Sequence, residues 1–544
     1  MKNLLPIEEV ASTLGLPERR LVPFGRFMAK VDPAVLDDRA GGVDGRLIVV
    51  TSMSPTPAGE GKTTLTIGLA QSMKLLGLKA AGCIRQPSLG PLFGTKGGAT
   101  GSGLSMVHPA EEIAMHFTGD DAAVASAHNL IASAVDNHVY HGNPLAIDRP
   151  GISWPRVSVV NDRMLRRVRL GVGIGDHERR GRFIISAASE LMSVLCVSRG
   201  TADLRERAGR VVVGRTLEGA PVTAEDIKAA GAAAALMKNA VLPNLVQSTE
   251  GAAVFVHGGP FGNISLGCST LLATRLALRL ADYVLVEAGF ATDLGAEKFF
   301  DILCRGGAGG GLRPAAAVVV ATLAALRLHG GAADYTTPDR TAAVRGLDNL
   351  AKHVENIRLF GVPAVVALNR YASDRPEELR EIKERIEEAG IPVHVVDVRE
   401  GGPAGGLEAA ERLTELCAEG SAFRPLYPLD APIKEKIASV AAKVYGAAGV
   451  AYTDQAEEDL RWLEQRGFGG LAVCMAKTHR SLSDDPDLLG RPTGFEITVR
   501  RVELSAGAGF VVPVCGKVLL LPGLPARPRL EGIDVDSGGN ITGL

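Results

Sequence analysis

Short, wholly apolar segments recur along this chain of 544 residues, and they limit its possible folds more than any other feature. They are rich in β-branched residues, and helix-compatible segments follow them. A strand that is apolar throughout is buried on both faces, which is typical of a parallel sheet enclosed between helices. The sequence therefore predicts the α/β class. The predicted strands are Leu47–Val50, Val211–Val213, Ala253–Val256, Tyr283–Val286, Ala316–Ala321, Ala364–Leu368, Val393–Val398 and Leu471–Cys474.

Polar side chains follow several of these strands at the carboxyl end. They are Thr51, His257, Glu287, Asn369 and Lys477. Ligands of open α/β sheets bind beyond the carboxyl ends of the strands. The sequence therefore predicts a binding site along that edge of the sheet.

The first predicted strand runs directly into the segment TSMSPTPAGEGKTT. Its glycines allow backbone N–H groups to approach a polyphosphate closely, and the helix expected after it presents a positive N-terminal end. In such a loop Lys62 reaches the β- and γ-phosphates, and the Thr63 hydroxyl binds Mg²⁺. The common form of the loop has glycine at the position of Thr56, so the prediction of nucleotide binding depends on Gly59, Gly61 and the two residues after it.

A second glycine-rich segment, FGTKGGATGSG, occupies residues 93–103. Glycine costs about 0.5–1 kcal/mol inside a helix or strand, so this segment is predicted to be a loop. Arg85 directly follows another predicted strand, Lys79–Ile84, at the ligand edge. We therefore expect the backbone amides of Gly97 and Gly98 to face the transferred group, the alternative being an ordinary surface loop.

The composition argues against several classes of partner. The chain has 59 Lys and Arg residues against 61 Asp and Glu residues, and 4% of its residues are aromatic, so a nucleic-acid partner is not expected. The seven cysteines are scattered and never spaced CxxC, which fits core residues in a reducing compartment. The early acidic residues argue against a signal peptide, and the longest apolar run, 315–326, is too short for a membrane span. We expect a cytoplasmic protein.

Histidines cluster at positions 108, 116, 128, 138 and 141, but their spacing matches no metal-binding pattern. Hydrogen-bonded structural histidines are therefore predicted. Asp120 lies in a predicted turn and is a candidate carboxylate for an amine substrate. Together, a phosphate loop, an arginine and a second glycine-rich loop suit phosphoryl transfer to a carboxylate or similar acceptor.

Longer motifs resemble those of the formate–tetrahydrofolate ligase family, in the same order along nearly the whole chain. In the first half they are PTPAGEGKTT (55–64), PSLGP (87–91), KGGA (96–99), HFTGD (116–120), DNH (136–138) and HGGPF (257–261). They continue with EAGF (287–290), DLGAEKFFDI (293–302), KHVENI (352–357), YPLD (427–430), IKEKI (433–437), CMAKT (474–478), LSDDPDLLGRPTGF (482–495), SAGAGF (505–510) and PGLP (522–525).

This resemblance implies an ATP-dependent ligase with a P-loop NTPase-like α/β core and smaller additional lobes, usually assembled as a homotetramer. ATP would phosphorylate formate to formyl phosphate, and N10 of tetrahydrofolate would then attack the formyl carbon. The implied cofactors are ATP and Mg²⁺, with a monovalent cation as a further candidate. We place a P-loop nucleotide-binding domain at residues 1–305, a second α/β domain on the folate side at 306–424 and a C-terminal domain at 425–544.

The resemblance also implies site residues. Lys62 would stabilise the transferred phosphoryl group, Arg85 would hold formyl phosphate, and Asp120 would face the folate amine. Tyr371 stands where the family has a phenylalanine that stacks on the pterin. The nucleotide would be bound by Thr56, Pro57, Ala58, Gly59, Glu60, Gly61, Lys62, Thr63 and Thr64.

The chain departs from the family pattern mainly on the acceptor side. Gln86 replaces a glutamate, Ala122 a histidine, and Val398 is aligned with the tryptophan on the other face of the pterin. Leu266 also lies in a divergent stretch. Two alternatives therefore remain at this point. The chain could use ATP to activate formate or another small carboxylate for a non-folate amine, or it could be a nucleotide switch without ligase activity.

Overall fold

The centre of the molecule is a large, mostly parallel sheet. The computed structural model describes residues 4–38, 41–94, 98–305 and 311–543, and within them twelve strands form this sheet. In chain order they are β1 (Leu21–Pro23), β2 (Ala29–Val31), β3 (Arg46–Ser52), β4 (Ala80–Ile84), β5 (Gly101–Ser102), β6 (Ser105–His108), β7 (Asn244–Ser248), β8 (Ala253–Val256), β9 (Tyr283–Glu287), β10 (Pro314–Ala321), β11 (Ala364–Asn369) and β12 (Val393–Val396).

The spatial order of the strands is β1-β2-β7-β8-β4-β9-β3-β10-β11-β12, and β6 pairs with β7 and β5. Every pair from β8 to β12 in this order is parallel. The pairs that β7 makes with β8, β2 and β6 are antiparallel. The predicted α/β class with a mostly parallel sheet is confirmed.

The central strand β3 shows why these segments are apolar throughout. Leu47 and Val49 belong to a core cluster on one face of the sheet, whereas Ile48 and Val50 belong to a cluster on the other face. Successive side chains of a strand point to opposite faces, so a strand covered on both sides needs apolar residues at every position. Leu69, from the helix that follows the nucleotide loop, packs in the second cluster.

The helices lie around the large sheet and in the connections between its strands, except for the last two, which pack against a smaller C-terminal sheet. They are α1 (Ile7–Thr13), α2 (Val35–Asp38), α3 (Lys62–Leu75), α4 (Leu89–Phe93), α5 (Ala110–Ala114), α6 (Asp120–Tyr140), α7 (Glu190–Val197), α8 (Thr201–Arg210), α9 (Ala230–Leu236), α10 (Leu271–Leu280), α11 (Glu297–Asp301), α12 (Leu323–His329), α13 (Arg340–Arg345), α14 (Leu347–Leu359), α15 (Pro376–Glu388), α16 (Leu407–Glu419), α17 (Ile433–Val440) and α18 (Asp454–Gln465).

A smaller sheet lies in the C-terminal part of the chain. It consists of β13 (Gly449–Tyr452), β14 (Ala472–Val473), β15 (Glu496–Ser505) and β16 (Phe510–Cys515), in the order β13-β15-β16-β14. The remaining short strands are Arg156–Ser158, Val168–Leu170, Arg179–Gly181, Phe183–Ile185, Val212–Arg215, Pro221–Thr223, Asp534–Val535 and Ile541–Thr542.

Two of the predicted strands lie outside the large sheet. Val211–Val213 contributes to an antiparallel hairpin with Pro221–Thr223, and Leu471–Cys474 contributes to the smaller sheet. An apolar run indicates that a strand is buried, but it does not indicate which strand pairs with it. Here each of the two strands pairs with a segment outside the large sheet. All seven cysteines are buried and unpaired, as expected for core residues.

The sequence also predicts two helices. Opposite charges four residues apart predict one at Glu377–Ala389, and a capping pattern predicts another from Thr223 to Gly231. The helix predicted at Glu377–Ala389 is present as α15. The helix predicted to start at Thr223 is wrong, since Thr223 ends a strand and α9 begins at Ala230. The Thr223 hydroxyl and the Asp226 carboxylate do pair at 2.7 Å, as in a helix start, but Lys228 adopts a positive φ of 59° and ends the turn.

The three predicted domains stay a prediction. Strands from both sides of residue 305 belong to the one large sheet, and residues 425–544 contribute the smaller sheet with its own apolar cluster. Among the helices of the described ranges, none is both long and apolar enough to cross a membrane.

Candidate active site

The nucleotide loop connects β3, which ends at Ser52, to α3, which begins at Lys62. Gly59 and Gly61 adopt positive φ angles of 88° and 76°. A Cβ on Gly61 would lie 2.7 Å from Nδ2 of Asn369, at the end of β11. Glycine is therefore required at position 61 by both conformation and space.

Glu60 holds this loop in shape from within. Its Oε1 accepts the Thr56 N–H at 2.7 Å, its Oε2 accepts the Thr322 hydroxyl, and its backbone carbonyl accepts Asn369 Nδ2 at 3.1 Å. The Glu60 side chain is 1% exposed. Glu60 therefore braces the loop from Thr56 to the end of β11.

Lys62 is held against the end of β3. Its Nζ donates to the Ser52 hydroxyl oxygen at 2.9 Å, and that hydroxyl in turn donates to the Phe290 carbonyl at 2.7 Å. The ammonium group thus lies at the carboxyl end of the central strand, where the sequence predicted a ligand. Ser52 is a hydroxyl partner that a phosphate oxygen could replace.

Glu287, at the end of β9, joins two predicted site residues. Its Oε2 accepts the Thr63 hydroxyl, and its Oε1 forms an ion pair with Nε of Arg85 at 3.0 Å. Glu287 is 3% exposed, whereas the Arg85 side chain is 30% exposed and can reach a ligand. Glu287 is one of the polar residues that the sequence predicts at the ligand edge, but we predicted no role for it there. An acidic residue at the end of a strand beside the nucleotide loop was the feature that indicated a role.

The second glycine-rich segment lies beside α3. Gly97 falls outside the described residues, so its predicted role stays a prediction. Gly98 is packed closely, since a Cβ there would lie 2.8 Å from the Ala114 Cβ. The Thr64 hydroxyl lies 3.0 Å from the Ser102 hydroxyl, which ties this segment to the start of α3. The structure thus brings the two glycine-rich segments together.

Asp120, the first residue of α6, lies in a buried ion pair. Its Oδ1 is 2.7 Å from Lys30 Nζ, and its Oδ2 accepts Asn244 Nδ2 at 2.8 Å. Both charged side chains are at most 2% exposed. Burial lowers the pKa of Lys30, although the charge of Asp120 opposes that shift. Among the described residues, Asp120 forms no hydrogen bond with Lys62 or Arg85, and its role toward the folate amine stays a prediction.

Asp121, which sequence reasoning had not selected, differs sharply from its neighbour. Its Oδ2 is buried and has no hydrogen-bond partner among the described residues. Burial raises the pKa of this carboxyl to about 6, with Ser186 beside it acting in the opposite direction. A carboxyl with this pKa can exchange a proton near neutral pH.

Tyr371 lies beside the nucleotide loop. Its hydroxyl is 3.5 Å from the position that a Cβ on Gly61 would take, and burial raises its pKa to about 12. Val398 is 1% exposed and packs against Gly68 of α3, where an added Cβ would lie 2.4 Å from the Val398 Cβ. Val398 is therefore a core residue and offers no exposed surface for stacking.

The other departures from the family pattern have ordinary structural surroundings. Gln86 is buried, and its backbone N–H donates to the Gly258 carbonyl at 2.7 Å. Leu266 is fully buried in the main core, and Ala122 is exposed on α6. None of these three side chains carries a charge, so none of them can replace a charged residue of the family pattern.

His128 is a structural histidine, as predicted. Its ring lies between the Ser189 hydroxyl at 2.8 Å and the Pro155 carbonyl at 3.0 Å, and it stacks on Trp154 with 4.1 Å between ring centroids. Burial lowers its pKa to about 3, so it stays neutral. In the parts of the chain that the structure describes, no group of three or more His, Cys, Asp or Glu side chains could hold a metal ion.

The comparisons with known proteins agree with the motifs. The family model for formate–tetrahydrofolate ligase matches residues 1–544. A curated formate–tetrahydrofolate ligase of Symbiobacterium thermophilum is 50% identical over 547 aligned positions, which cover 100% of this chain and 98% of that protein. The resemblance stated from the sequence motifs is confirmed.

Proposed function

The chain belongs to the formate–tetrahydrofolate ligase family, and from this premise we propose how its site joins formate to tetrahydrofolate with conversion of ATP to ADP and phosphate. The enzyme is a carbon–nitrogen ligase. Formate is activated as formyl phosphate, and the formyl group then passes to N10 of tetrahydrofolate. Family membership does not favour a non-folate acceptor or a nucleotide switch.

One observation supports the placement of ATP above all. Lys62, Thr63 and Arg85 are drawn to one end of the parallel sheet by Ser52 and Glu287. The space at Gly59 is open, since a Cβ there would meet nothing within 4 Å, which is compatible with a phosphate beside this glycine. This arrangement supports a P-loop NTPase-like core with the nucleotide bound by residues 56–64.

The donor set beside the loop fits Mg²⁺. The Thr63 hydroxyl and the Glu287 carboxylate are hard oxygen ligands, and they already contact each other. When bound there with ATP, Mg²⁺ would supply positive charge to the phosphate oxygens. We assign Thr63 as a metal ligand with Glu287 behind it. A monovalent cation stays a prediction without assigned residues.

We assign each predicted site residue a separate role in the reaction. Lys62 exchanges Ser52 for a γ-phosphate oxygen and stabilises the charge of the phosphoryl group in transfer. Arg85, fixed by Glu287, presents its remaining N–H groups to formate and then to formyl phosphate. Gly97 and Gly98 supply backbone amides, and Tyr371 contributes one aromatic face to the folate. Asp120 stands on the side where the amine loses its proton.

Several properties implied by the resemblance belong to the same proposal. They are the three domains at 1–305, 306–424 and 425–544, a homotetramer and a cytoplasmic location. The family relationship supports them, and each can be measured separately from the reaction.

An ATP-turnover assay tests the proposed reaction. ADP release is measured with formate alone, tetrahydrofolate alone and both, and 10-formyltetrahydrofolate is quantified in the same samples. We expect sustained ADP release with stoichiometric formyl-folate only when both substrates are present. ADP release that depends on formate without formyl-folate would point to another acceptor, and release indifferent to both substrates would contradict a ligase.

A further inference from the structure

Helix α14 carries an unusual polar stripe on its buried face. Asn349, Lys352, His353 and Asn356 follow a spacing of three, four and seven residues, and none is more than 6% exposed. Positions with this spacing lie on one face of a helix, which is normally apolar when it is buried. Burying polar groups is unfavourable unless they are hydrogen-bonded, so the partners of this polar stripe indicate its purpose.

His353 contacts the nucleotide loop directly. Its Nε2 accepts the backbone N–H of Ser54 at 2.9 Å, and its Nδ1 lies 2.6 Å from the Thr292 hydroxyl. A backbone N–H can only donate, so Nε2 must be the acceptor and the ring proton must be on Nδ1. Burial lowers the pKa of His353 to about 3, so this neutral tautomer persists at physiological pH.

Ser54 follows directly on the part of the loop that holds Lys62. Two residues earlier, the Ser52 hydroxyl accepts Lys62 Nζ at 2.9 Å and donates to the Phe290 carbonyl. Ser54 itself is 1% exposed, and its hydroxyl also lies 2.9 Å from His353 Nε2. The imidazole therefore fixes the chain where it leaves β3 and enters the nucleotide loop.

The polar stripe is anchored on its other side by the C-terminal part of the chain. Asn349 Nδ2 donates to the Gly490 carbonyl at 2.7 Å, and Lys352 Nζ donates to the Lys443 carbonyl at 2.6 Å. Asn356 Nδ2 donates to the Thr292 hydroxyl at 3.2 Å, which holds the partner of His353 in place. The stripe thus connects the entry of the nucleotide loop to residues 425–544.

We propose that His353 is a positioning residue for the nucleotide loop: its Nδ1–H tautomer fixes Ser54, and through it the loop places Lys62 and the backbone amides for ATP. His353 acts through the loop and not on a substrate. This inference rests on the proposed function of the loop as the ATP site. Small displacements of positioned groups can cost up to about 100-fold in rate.

Two substitutions separate the two ring nitrogens. In His353→Gln the longer amide reaches the position of Nε2 and keeps an acceptor for Ser54, whereas in His353→Asn the shorter amide reaches only the position of Nδ1. We expect His353→Asn to raise KM for ATP about tenfold while KM for formate changes less than about twofold. His353→Gln should stay within about threefold of the wild type in KM for ATP.

Two substitutions of Thr292 test the same contact if the histidine variants do not fold. Thr292→Val removes the oxygen that receives the Nδ1 proton and frees the ring to change tautomer, whereas Thr292→Ser keeps it. We expect KM for ATP to rise about threefold in Thr292→Val and to remain near the wild-type value in Thr292→Ser.

Equilibrium binding of ATP, measured by calorimetry on the full chain, separates this proposal from the proposed function. Weaker ATP binding in His353→Asn than in His353→Gln supports the positioning role even if no formyl-folate is made. Equal ATP affinity in all four variants and the wild type overturns it, as does a loss of kcat at unchanged KM for ATP. A wild-type chain that does not bind ATP overturns both proposals.

Discussion

The buried carboxylates beside the nucleotide loop and at the start of α6 are held in different ways. At the nucleotide end, Glu60 and Glu287 each have both oxygens engaged by loop or strand-end groups that the ligand site also uses. At the start of α6, Asp120 is engaged by Lys30 and Asn244, whose positions in the chain are 90 and 124 residues away. The first two carboxylates thus hold groups of the proposed ATP site, whereas Asp120 joins distant parts of the chain.

The two regions also differ in the charge of their side chains. The nucleotide end presents Lys62 and the partly exposed Arg85, which suit anionic phosphate and formate. The start of α6 instead carries Asp121, and burial raises the pKa of its carboxyl to about 6. Burial also raises the pKa of Glu190, at the start of α7, to about 8. We therefore expect substitutions of Lys62 to affect the rate and those of the buried carboxyls Asp120, Asp121 and Glu190 to change the free energy of unfolding.

The largest effect is expected from Lys62→Ala. Loss of a preorganised charge at the transferred phosphoryl group should lower kcat about 100- to 1000-fold, with little change in thermal stability. Steady-state ADP release and a thermal melt measure the two quantities. Lys74→Ala on the same helix is the control, because Lys74 donates to the carbonyls of Glu250 and Gly251 and should leave kcat unchanged. A near-normal rate in Lys62→Ala would contradict the assignment of the phosphate site.

Asp120→Asn should destabilise the protein by about 3 kcal/mol, because Lys30 would remain buried without a counter-charge. The urea midpoint measures this loss. Asp121→Asn is the matched control, and it should stabilise the protein at pH 8. The folded pKa of Asp121, about 6, lies above its ordinary value of 3.8, so the wild type loses stability as pH rises through that window. Equal destabilisation by both variants would remove the distinction between these neighbouring carboxylates.

The third prediction concerns the pH dependence of stability at Glu190, whose Oε1 accepts the Gly507 N–H at 2.8 Å. Its folded pKa of about 8 exceeds the ordinary value of 4.5, so the folded state binds more protons between these values. Stability should fall as pH rises through this window, by at most about 1.4 kcal/mol per pH unit. Glu190→Gln should lose this part of the pH dependence, as judged by urea midpoints from pH 5 to 8. An unchanged pH slope would show that Glu190 does not titrate in this range.

The features that could be predicted from the sequence are those formed by residues close together in the chain. The strand before Lys62, the turn glycines and the helix after them lie within one short segment, so propensity and spacing were sufficient. The pairing of Asp120 with Lys30 could not be read in this way, because it joins residues 90 positions apart. The same limit applies to Val398, whose contact with Gly68 makes it part of the core.

The strand order of the large sheet has a consequence for synthesis of the chain. The central strand β3 begins at Arg46, but its two neighbours pair with it only from Tyr283 and Pro314 onward. At about 5–20 residues per second, the ribosome needs roughly 12–50 s to make the intervening residues 46–283. During this interval an apolar strand with two open edges is exposed to aggregation, which is a hazard of non-local parallel pairing. Chaperone capture of the nascent N-terminal third would protect the strand that later bears the nucleotide loop.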